Sequence, residues 1–255
     1  MTDSVLDVIQ RHASVRHYRP DPLPPALVET IVAAGQRAST SSNMQAYSVV
    51  AVTDAAKRQR LAELCGNQKH VAEAPLFLAW CADLARLERI CQRRGYRQVS
   101  EYLENFLVAA VDAVIAAQNA ALAAESLGLG ICYIGSIRNR SAEVIALLGL
   151  PKLVFPITGM TVGWPATTPR VKPRLPLRAV LHWEQYDTRH EEEDLQAYDR
   201  VMIESGIYRG RQIPAAGREV VEEDYGWSEH IARRVAQVAR TDLRRIVQEQ
   251  GFELK

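Results

Sequence analysis

The residues best suited to chemistry are hydrogen-bond donors and cations gathered in three short segments. The first segment contains His12, Ser14 and Arg16, spaced two residues apart. In an extended segment this spacing places the three side chains on one face. The planar guanidinium of Arg16 is suited to a phosphate. The pattern therefore indicates an anion-binding face, and its alternative is an exposed basic loop.

The other two segments are the polar stretch Ser39–Gln45 and the tripeptide Lys172-Pro-Arg174. Hydroxyls and amides in the former can hydrogen-bond the polar rim of a ligand, or simply form turns between a helix and a strand. In the latter, proline restricts the backbone and fixes where the two cations point; the alternative is a solvated basic turn. Together, the three segments predict a site for an anionic, polyhydroxylated cofactor.

The sequence contains binding groups but no evident reactive group of its own. It has no G-x-S-x-G, no Walker loop, no G-x-G-x-x-G after a strand and no H-E-x-x-H. Its four cysteines, Cys65, Cys81, Cys91 and Cys132, form no C-x-x-C and have no histidine at metal-ligand spacing. We expect buried, inert thiols and no metal. This combination is typical of a protein whose cofactor performs the reaction.

A long apolar helix, Phe106–Leu127, is the predicted centre of the fold. It consists mostly of Ala, Val, Ile and Leu, and a helix that is apolar nearly all round is buried on most faces. Asp112 and Glu125 would lie in hydrocarbon if it crossed a membrane, so we expect a soluble protein. The amount of apolar surface also suggests burial against a second subunit. Gly128 and Gly130 end the helix, and the strand Ile131–Ile134 follows.

Further strands and helices surround this centre and argue for an α+β or α/β architecture around one sheet. The predicted strands are Tyr47–Val52, Leu76–Cys81, Phe155–Trp164 and, last, Val180–Trp183. The remaining predictions are a solvated excursion at Ala85–Tyr102, a charged helix at Glu191–Ile203, a mobile loop at Tyr208–Gly226 and a terminal helix at Trp227–Gln250.

Composition restricts the class of protein. The chain has 255 residues, 47% of them hydrophobic, which suits a globular core. Its formal net charge of +1 gives no overall field that favours nucleic acid or an anionic membrane. The opening MTDSVLDVIQRH lacks the regions of a signal peptide, so we expect a cytoplasmic location.

Six segments in order resemble the oxygen-insensitive NADPH nitroreductases and the NADPH–flavin reductases. His12–His17 is similar to the family's H-R-S-I-R-H, Ser39–Gln45 to its Ser-rich loop and Gly66–Val71 to G-G-Q-K-H-V. Ala120–Arg138 is similar to A-L-x-A-E-S-L-G-L-G-x-x-Y-I-G-G-x-R. Gly163–Pro165 with Lys172–Pro176 is similar to G-W-P and K-P-R-L-P, and Trp227–Ile231 to W-S-D-H-I. The common order makes the resemblance specific.

The resemblance implies an α+β nitroreductase-like fold, with a mostly antiparallel central sheet flanked by helices. It implies a homodimer that binds FMN at its interface and exchanges C-terminal segments between protomers. Residues 1–190 would form the FMN-binding core, and residues 191–255 a C-terminal extension of the same domain that contacts the coenzyme. The implied cofactor-binding residues are His12, Ser14, Arg16, Ser39, Ser41, Gln68, Tyr133, Ile134, Gly135, Ser136, Arg138, Lys172 and Arg174. The implied substrate and NADPH residues are Ser42, Asn43, Arg209, Arg211, Arg218 and Arg240.

The implied activity is a two-step reduction in which NADPH reduces FMN and a small planar acceptor then takes two electrons. No residue of the chain is predicted to be catalytic, because flavin N5 performs the chemistry. One alternative is a flavin reductase that supplies free reduced FMN to a partner, and another is a non-catalytic FMN-binding module. Ser136 stands where the family usually has glycine, and Asn43 where relatives often have an aromatic residue. The latter change predicts a wider or more polar acceptor pocket.

Overall fold

The protein is described by a computed structural model that covers residues 4–215 and 224–255. Its α-helices are α1 Val5–Gln10, α2 Pro25–Gly35, α3 Ala55–Leu64, α4 Lys69–Glu73, α5 Ala85–Arg94, α6 Leu103–Ser126, α7 Ser141–Leu148, α8 Glu191–Ser205, α9 Trp227–Val235 and α10 Leu243–Glu249. Its strands are β1 Tyr47–Val52, β2 Leu76–Asp83, β3 Gly130–Ile134 and β4 Val154–Gly163. The strand order is β1-β2-β4-β3, with every neighbouring pair antiparallel. The predicted α+β fold with an antiparallel central sheet is confirmed.

Strand β2 lies inside the sheet and is buried along its whole length. Its side chains alternate between two hydrophobic clusters, as the two-residue period of a strand requires. Phe77 belongs to a cluster with residues of α3, α7 and α10, whereas Trp80 belongs to a cluster with residues of α2 and α6. Helices therefore cover both faces of the sheet.

Helix α6 packs through alanines, which allow neighbouring elements to approach closely. Ala113, Ala116 and Ala120 are fully buried. A Cβ on Gly35 of α2 would lie 2.9 Å from the Ala116 carbonyl oxygen. Side chains elsewhere on α6, among them Leu107, Val111 and Val114, are largely exposed in the single chain.

The exposed apolar side chains of α6 show that the helix is not buried on most faces by its own chain. In length and composition α6 also meets the criteria for a membrane span. The core helices of soluble proteins meet the same length and composition criteria, so these criteria alone do not place α6 in a membrane.

The described residues cluster into two compact units. The first unit contains the residues up to Arg170 together with Arg240–Lys255, and therefore the whole sheet. The second unit runs from Val171 to Ala239 and contains α8 and α9.

Two sequence predictions are wrong in detail. Val180–Trp183 forms no strand: it follows a short 3₁₀ turn at Leu177–Ala179, and Trp183 is 78% exposed. The predicted terminal helix is interrupted after α9, and Arg240 adopts a left-handed φ of 53° before α10 begins. The segment predicted as a solvated excursion, Ala85–Tyr102, is exposed or half-buried after Ala85, and it contains helix α5, which ends at the left-handed Gly95.

Candidate cofactor site

The first donor segment is held in an extended conformation beside β3. The Val15 N–H donates to the Ile131 carbonyl at 2.8 Å, and the Tyr18 hydroxyl donates to the Val15 carbonyl at 2.8 Å. Ala13 and Val15 are buried, whereas His12, Ser14 and Arg16 retain exposure. The alternation places these three side chains on the face opposite the buried pair, as the spacing predicts.

Glycine at position 130 makes this close approach possible. A Cβ on Gly130 would lie 2.4 Å from Val15 Cγ2, closer than real side-chain carbons come. The glycine that begins β3 therefore sets the distance between the sheet and the donor segment.

His12 is oriented by a carboxylate on α6. Its Nδ1 lies 2.6 Å from Glu125 Oε1, and the Glu125 side chain is only 10% exposed. Burial raises the pKa of Glu125, an effect that the hydrogen bond to His12 opposes. The second oxygen, Oε2, is buried and has no hydrogen-bond partner within the part of the chain that the structure describes.

His70 was missed by the sequence predictions, although it lies in the Gly66–Val71 motif. It is 9% exposed on α4, and its Nε2 is buried with no hydrogen-bond partner among the described residues. Burial lowers the pKa of His70, and the charge of Arg16 lowers it further. A buried imidazole nitrogen near Arg16 that lacks a partner is a position that a ligand's polar group would satisfy.

The predicted flavin residues Gln68 and Ser136 are in direct contact. Gln68 Nε2 donates to the Cys65 carbonyl at 2.8 Å and to Ser136 Oγ at 2.5 Å. Ser136 thus accepts this hydrogen bond through a hydroxyl that a glycine at the same position would lack.

The neighbouring predicted residues lie at the end of β3. Tyr133 donates to Gln118 Oε1 at 3.3 Å, and burial raises the pKa of Tyr133, which keeps the phenol neutral. Ile134 is buried, and Gly135 is half-buried beside the guanidinium of Arg138.

Arg138 and Arg240 form a second cationic position in the same unit. Arg138 Nη1 donates to the Ile157 carbonyl, and Arg240 Nε donates to Asn139 Oδ1 at 3.0 Å. Burial lowers the pKa of Arg138, and the charge of Arg240 adds to the effect. Two nearby guanidiniums, one of them half-buried, favour an anion between or beside them.

The polar stretch Ser39–Gln45 forms a loop whose backbone is hydrogen-bonded to a side chain of α6. Ser39, Ser41, Ser42 and Asn43 are exposed, and Ser41–Asn43 forms a 3₁₀ turn. The N–H groups of Ser41 and Ala46 both donate to the buried carboxylate of Asp112. The sequence predictions assigned Asp112 no role in a site.

The remaining predicted residues lie in the second unit. Lys172 and Arg174 are exposed, and Arg174 Nη1 donates to the carbonyls of Lys172 and Pro173 at 3.2 and 3.3 Å. Both line a cavity with Tyr198 and Trp227.

The predicted coenzyme arginines of this unit are only partly described. Arg209 and Arg211 are exposed, and the Arg209 side chain lies against Gly206. Arg218 and most of the acidic residues near it lie outside the described residues, which end at 215 and resume at 224.

The four cysteine side chains differ in how deeply they are buried. Cys65, Cys81 and Cys132 are buried thiols, as expected, whereas Cys91 is half-buried. Among residues 4–215 and 224–255, no cluster of three or more His, Cys, Asp and Glu is placed to hold a metal ion.

The donor set of the first unit fits a phosphate-bearing cofactor such as FMN. The exposed guanidinium of Arg16 lies near the buried Nε2 of His70, which has no partner within residues 4–215 and 224–255. The amide of Gln68 and the hydroxyl of Ser136 are hydrogen-bonded to each other. These groups offer a charge for phosphate and directional donors for a polar ring edge.

Comparison with known proteins agrees with this assignment. Residues 9–164 match the sequence model of the Nitroreductase family, and residues 172–255 match that of the Nitroreductase family, C-terminal domain. The "FMN reductase (NADPH)" of Bacillus subtilis (strain 168) is 40% identical over 258 residues, with 98% of each chain covered. The "Oxygen-insensitive NADPH nitroreductase" of Salmonella typhimurium is 38% identical over 247 residues, with 97% of each covered.

The fold gives the same result. The solved structure of NfrA2 from B. megaterium matches with a TM-score of 0.90 at 36% identity, and the match covers 99% of both chains. The two family models together, the two relatives and the solved structure each match nearly the whole chain, as the six sequence motifs predict. The chain belongs to the nitroreductase family.

Proposed function

We propose that this protein is an FMN-dependent oxidoreductase that uses NAD(P)H, with NADPH favoured, to reduce nitroaromatics, quinones or flavins. The observation that supports it most directly is the buried Nε2 of His70 near Arg16, which has no hydrogen-bond partner in the described part of the chain. Relatives named for FMN, NADPH and nitro reduction support the same chemistry. When bound, FMN supplies the hydride acceptor and the two-electron donor that the chain's own side chains lack.

The residues of the chain bind and orient. Arg16, with His12, Ser14 and His70, binds the phosphate and the ribityl chain, and the carboxylate of Glu125 fixes the His12 ring. Lys172 and Arg174 are proposed to join Arg16 at the phosphate. Gln68 and Ser136 are proposed to present their mutually bonded amide and hydroxyl to the flavin edge, with Ser39, Ser41 and the segment Tyr133–Ser136 beside it.

The coenzyme and the acceptor are proposed to share one pocket. Arg240 is proposed to attract the anionic coenzyme, and the half-buried Arg138 near it, proposed to contact FMN, adds to the positive charge of this region. Ser42 and Asn43 border the space for small planar acceptors. Exposed polar side chains at these positions favour weak selectivity, since they offer few fixed contacts to any one acceptor.

We also propose a cytoplasmic homodimer in which the apolar side chains that α6 exposes are buried against a second copy. In this assembly residues 191–255 act as a C-terminal extension that contributes coenzyme contacts. Exchange of C-terminal segments between protomers is part of the same proposal.

Steady-state kinetics test the choice between a nitro- or quinone reductase and a flavin reductase. The first predicts a higher kcat/KM for a nitrofuran or quinone than for free FMN. The second predicts the reverse order. Absence of turnover with every acceptor, in protein that holds FMN, would instead identify a binding module.

Coenzyme preference tests the arginines of the second unit. We expect a preference for NADPH over NADH of about ten- to a hundredfold in kcat/KM that falls with added salt. An Arg209→Ala/Arg211→Ala variant should lose NADPH activity while keeping NADH activity and flavin, because only NADPH has the extra phosphate. Equal use of both coenzymes by the wild type would mean that these arginines are solvent-exposed surface residues that do not bind the extra phosphate of NADPH.

A further inference from the structure

We infer that Asp112 is a positioning residue that holds the acceptor loop, residues 41–46, in a left-handed conformation and so sets acceptor specificity. The specificity part rests on the proposed function, because it places Ser42 and Asn43 at the acceptor. The positioning part rests only on the contacts of Asp112 with the loop.

The carboxylate of Asp112 spans the loop from end to end. Its Oδ1 accepts the Ser41 N–H at 3.0 Å, and its Oδ2 accepts the Ala46 N–H at 3.1 Å. Asp112 is 2% exposed and lies near the middle of α6. A buried carboxylate that accepts two backbone N–H groups is a strong and directional anchor, because hydrogen bonds to an ionised group are the stronger kind.

Between these two anchors the backbone is in an unfavourable conformation. Ser42, Asn43 and Gln45 have φ values of 47°, 54° and 51°. Asparagine tolerates this region, but serine and glutamine favour it much less. Three such residues within four positions persist only where surrounding contacts impose them, and they are frequent at ligand sites.

The other contacts of the loop are local, lie at its surface or hold one end only. The Met44 N–H donates to the Ser41 carbonyl at 2.9 Å within the loop, and the buried Asp83 N–H donates to the Ala46 carbonyl at 2.9 Å at its C-terminal end. Gln45 N–H donates to Thr40 Oγ1 at 3.3 Å, and the Gln45 side chain donates to Asn43 Oδ1 at 3.3 Å. Arg86 Nη1 donates to the Gln45 carbonyl at 3.1 Å from an exposed position. Asp112 is therefore the buried contact that fixes both ends of the loop to a rigid helix.

The test is the isosteric change Asp112→Asn, studied as the FMN-loaded full chain. The amide oxygen can accept only one of the two N–H groups, and the amide NH₂ then faces the other. Hydrogen exchange of the segment 41–46, followed by mass spectrometry, should become about ten- to 150-fold faster. The ratio of kcat/KM for a nitrofuran to that for free FMN should shift by about tenfold, mainly through KM.

The matched control is Ala121→Gly on the same helix. Ala121 is buried but lies far along α6 from Asp112, and glycine weakens a helix without touching the loop. This variant should lower the melting temperature while leaving both the loop exchange and the acceptor ratio as in the wild type. A general loss of stability would lower activity toward both acceptors together, so a changed ratio identifies positioning.

Three results would overturn the inference. In the wild type, exchange at Ser41 and Ala46 as fast as at Ser42 and Asn43 would show that Asp112 does not hold the loop, and this measurement needs no variant. Unchanged loop exchange in Asp112→Asn would show the same. Faster loop exchange with an unchanged acceptor ratio would remove the specificity role. A wild type that reduces no acceptor would overturn the proposed function instead, and the exchange results would still decide the positioning role.

Discussion

At the scale of single residues, the proposed phosphate site depends on an exposed cation near a buried imidazole. Arg16 is exposed, whereas His70 is buried with an Nε2 that has no partner among the described residues. Charged hydrogen bonds of this kind contribute about 1.5–3 kcal/mol each. Replacing Arg16 should therefore weaken FMN binding without unfolding the protein.

Titration of apoprotein with FMN measures that effect. We expect Arg16→Ala to weaken FMN binding by about 10- to 150-fold. Arg89→Ala, which removes an exposed arginine from α5, serves as the control and should bind as the wild type does. If Arg16→Ala and Arg174→Ala both retained full affinity, the phosphate would have to lie elsewhere.

The buried cysteines give a second prediction at this scale. Burial raises the pKa of Cys65 to about 12 and that of Cys81 to about 12. Because the thiolate is the reactive form, both should be unreactive at pH 8, and raising the pH toward 11 should not expose them while the fold persists. Thiol titration of native protein should detect the half-buried Cys91 alone, and unfolded protein should show four thiols. Rapid reaction of a second thiol in native protein would contradict this burial.

Single-residue roles were predictable only where the residue itself belongs to a recognisable motif. Arg16 and Gln68 could be proposed in this way. Asp112 and Glu125 could not, because their partners lie 66 to 113 residues away in the sequence and only the folded chain brings them together. Both appeared in the sequence merely as polar residues within an apolar helix.

At the scale of secondary structure, strongly periodic segments were predicted well and irregular ones were not. The strands Tyr47–Val52 and Ile131–Ile134 lie close to their predicted bounds, because their apolar side chains join the hydrophobic clusters on the two faces of the sheet. Val180–Trp183 has a similar composition but pairs with no strand among the residues that the structure describes, and strand formation requires such a partner. The break before α10 was not predictable either, since nothing in its sequence marks the left-handed Arg240.

The contact between β3 and the donor segment can be tested with a pair of variants. Gly130→Ala should place a methyl group against Val15 and cost about 1–3 kcal/mol of unfolding free energy. It should also weaken FMN binding, because the displaced segment contains His12, Ser14 and Arg16. Denaturant unfolding and FMN titration measure the two effects.

The matched control is the double variant Val15→Ala/Gly130→Ala. Removing the two Val15 methyl groups abolishes the contacts at 2.4 and 2.9 Å but leaves that with the Val15 Cβ at 2.7 Å. The double variant should therefore bind FMN more tightly than Gly130→Ala alone and less tightly than the wild type. Equal FMN affinity in the single and double variants would show that this contact does not position the donor segment.

At the scale of the whole molecule, the proposed dimer accounts for apolar surface that one chain leaves uncovered. Val111 is 53% exposed on α6, whereas Ala113, Ala116 and Ala120 of the same helix are fully buried. Size-exclusion chromatography with light scattering should find a dimer in the wild type and mostly monomer in Val111→Glu, because the buried charge would have no partner. Ile90→Glu, at an exposed apolar residue of α5, should remain dimeric. A monomeric wild type would contradict the assembly.

The central claim is that NADPH reduces an FMN held by this chain and that a small planar acceptor then oxidises it. Anaerobic stopped-flow absorbance of the purified, FMN-loaded protein tests it most directly. The account predicts that NADPH bleaches the visible flavin band rapidly and that one equivalent of a nitrofuran or quinone restores it. Protein that gains no flavin band when mixed with FMN, or whose band persists after NADPH is added, would contradict the account.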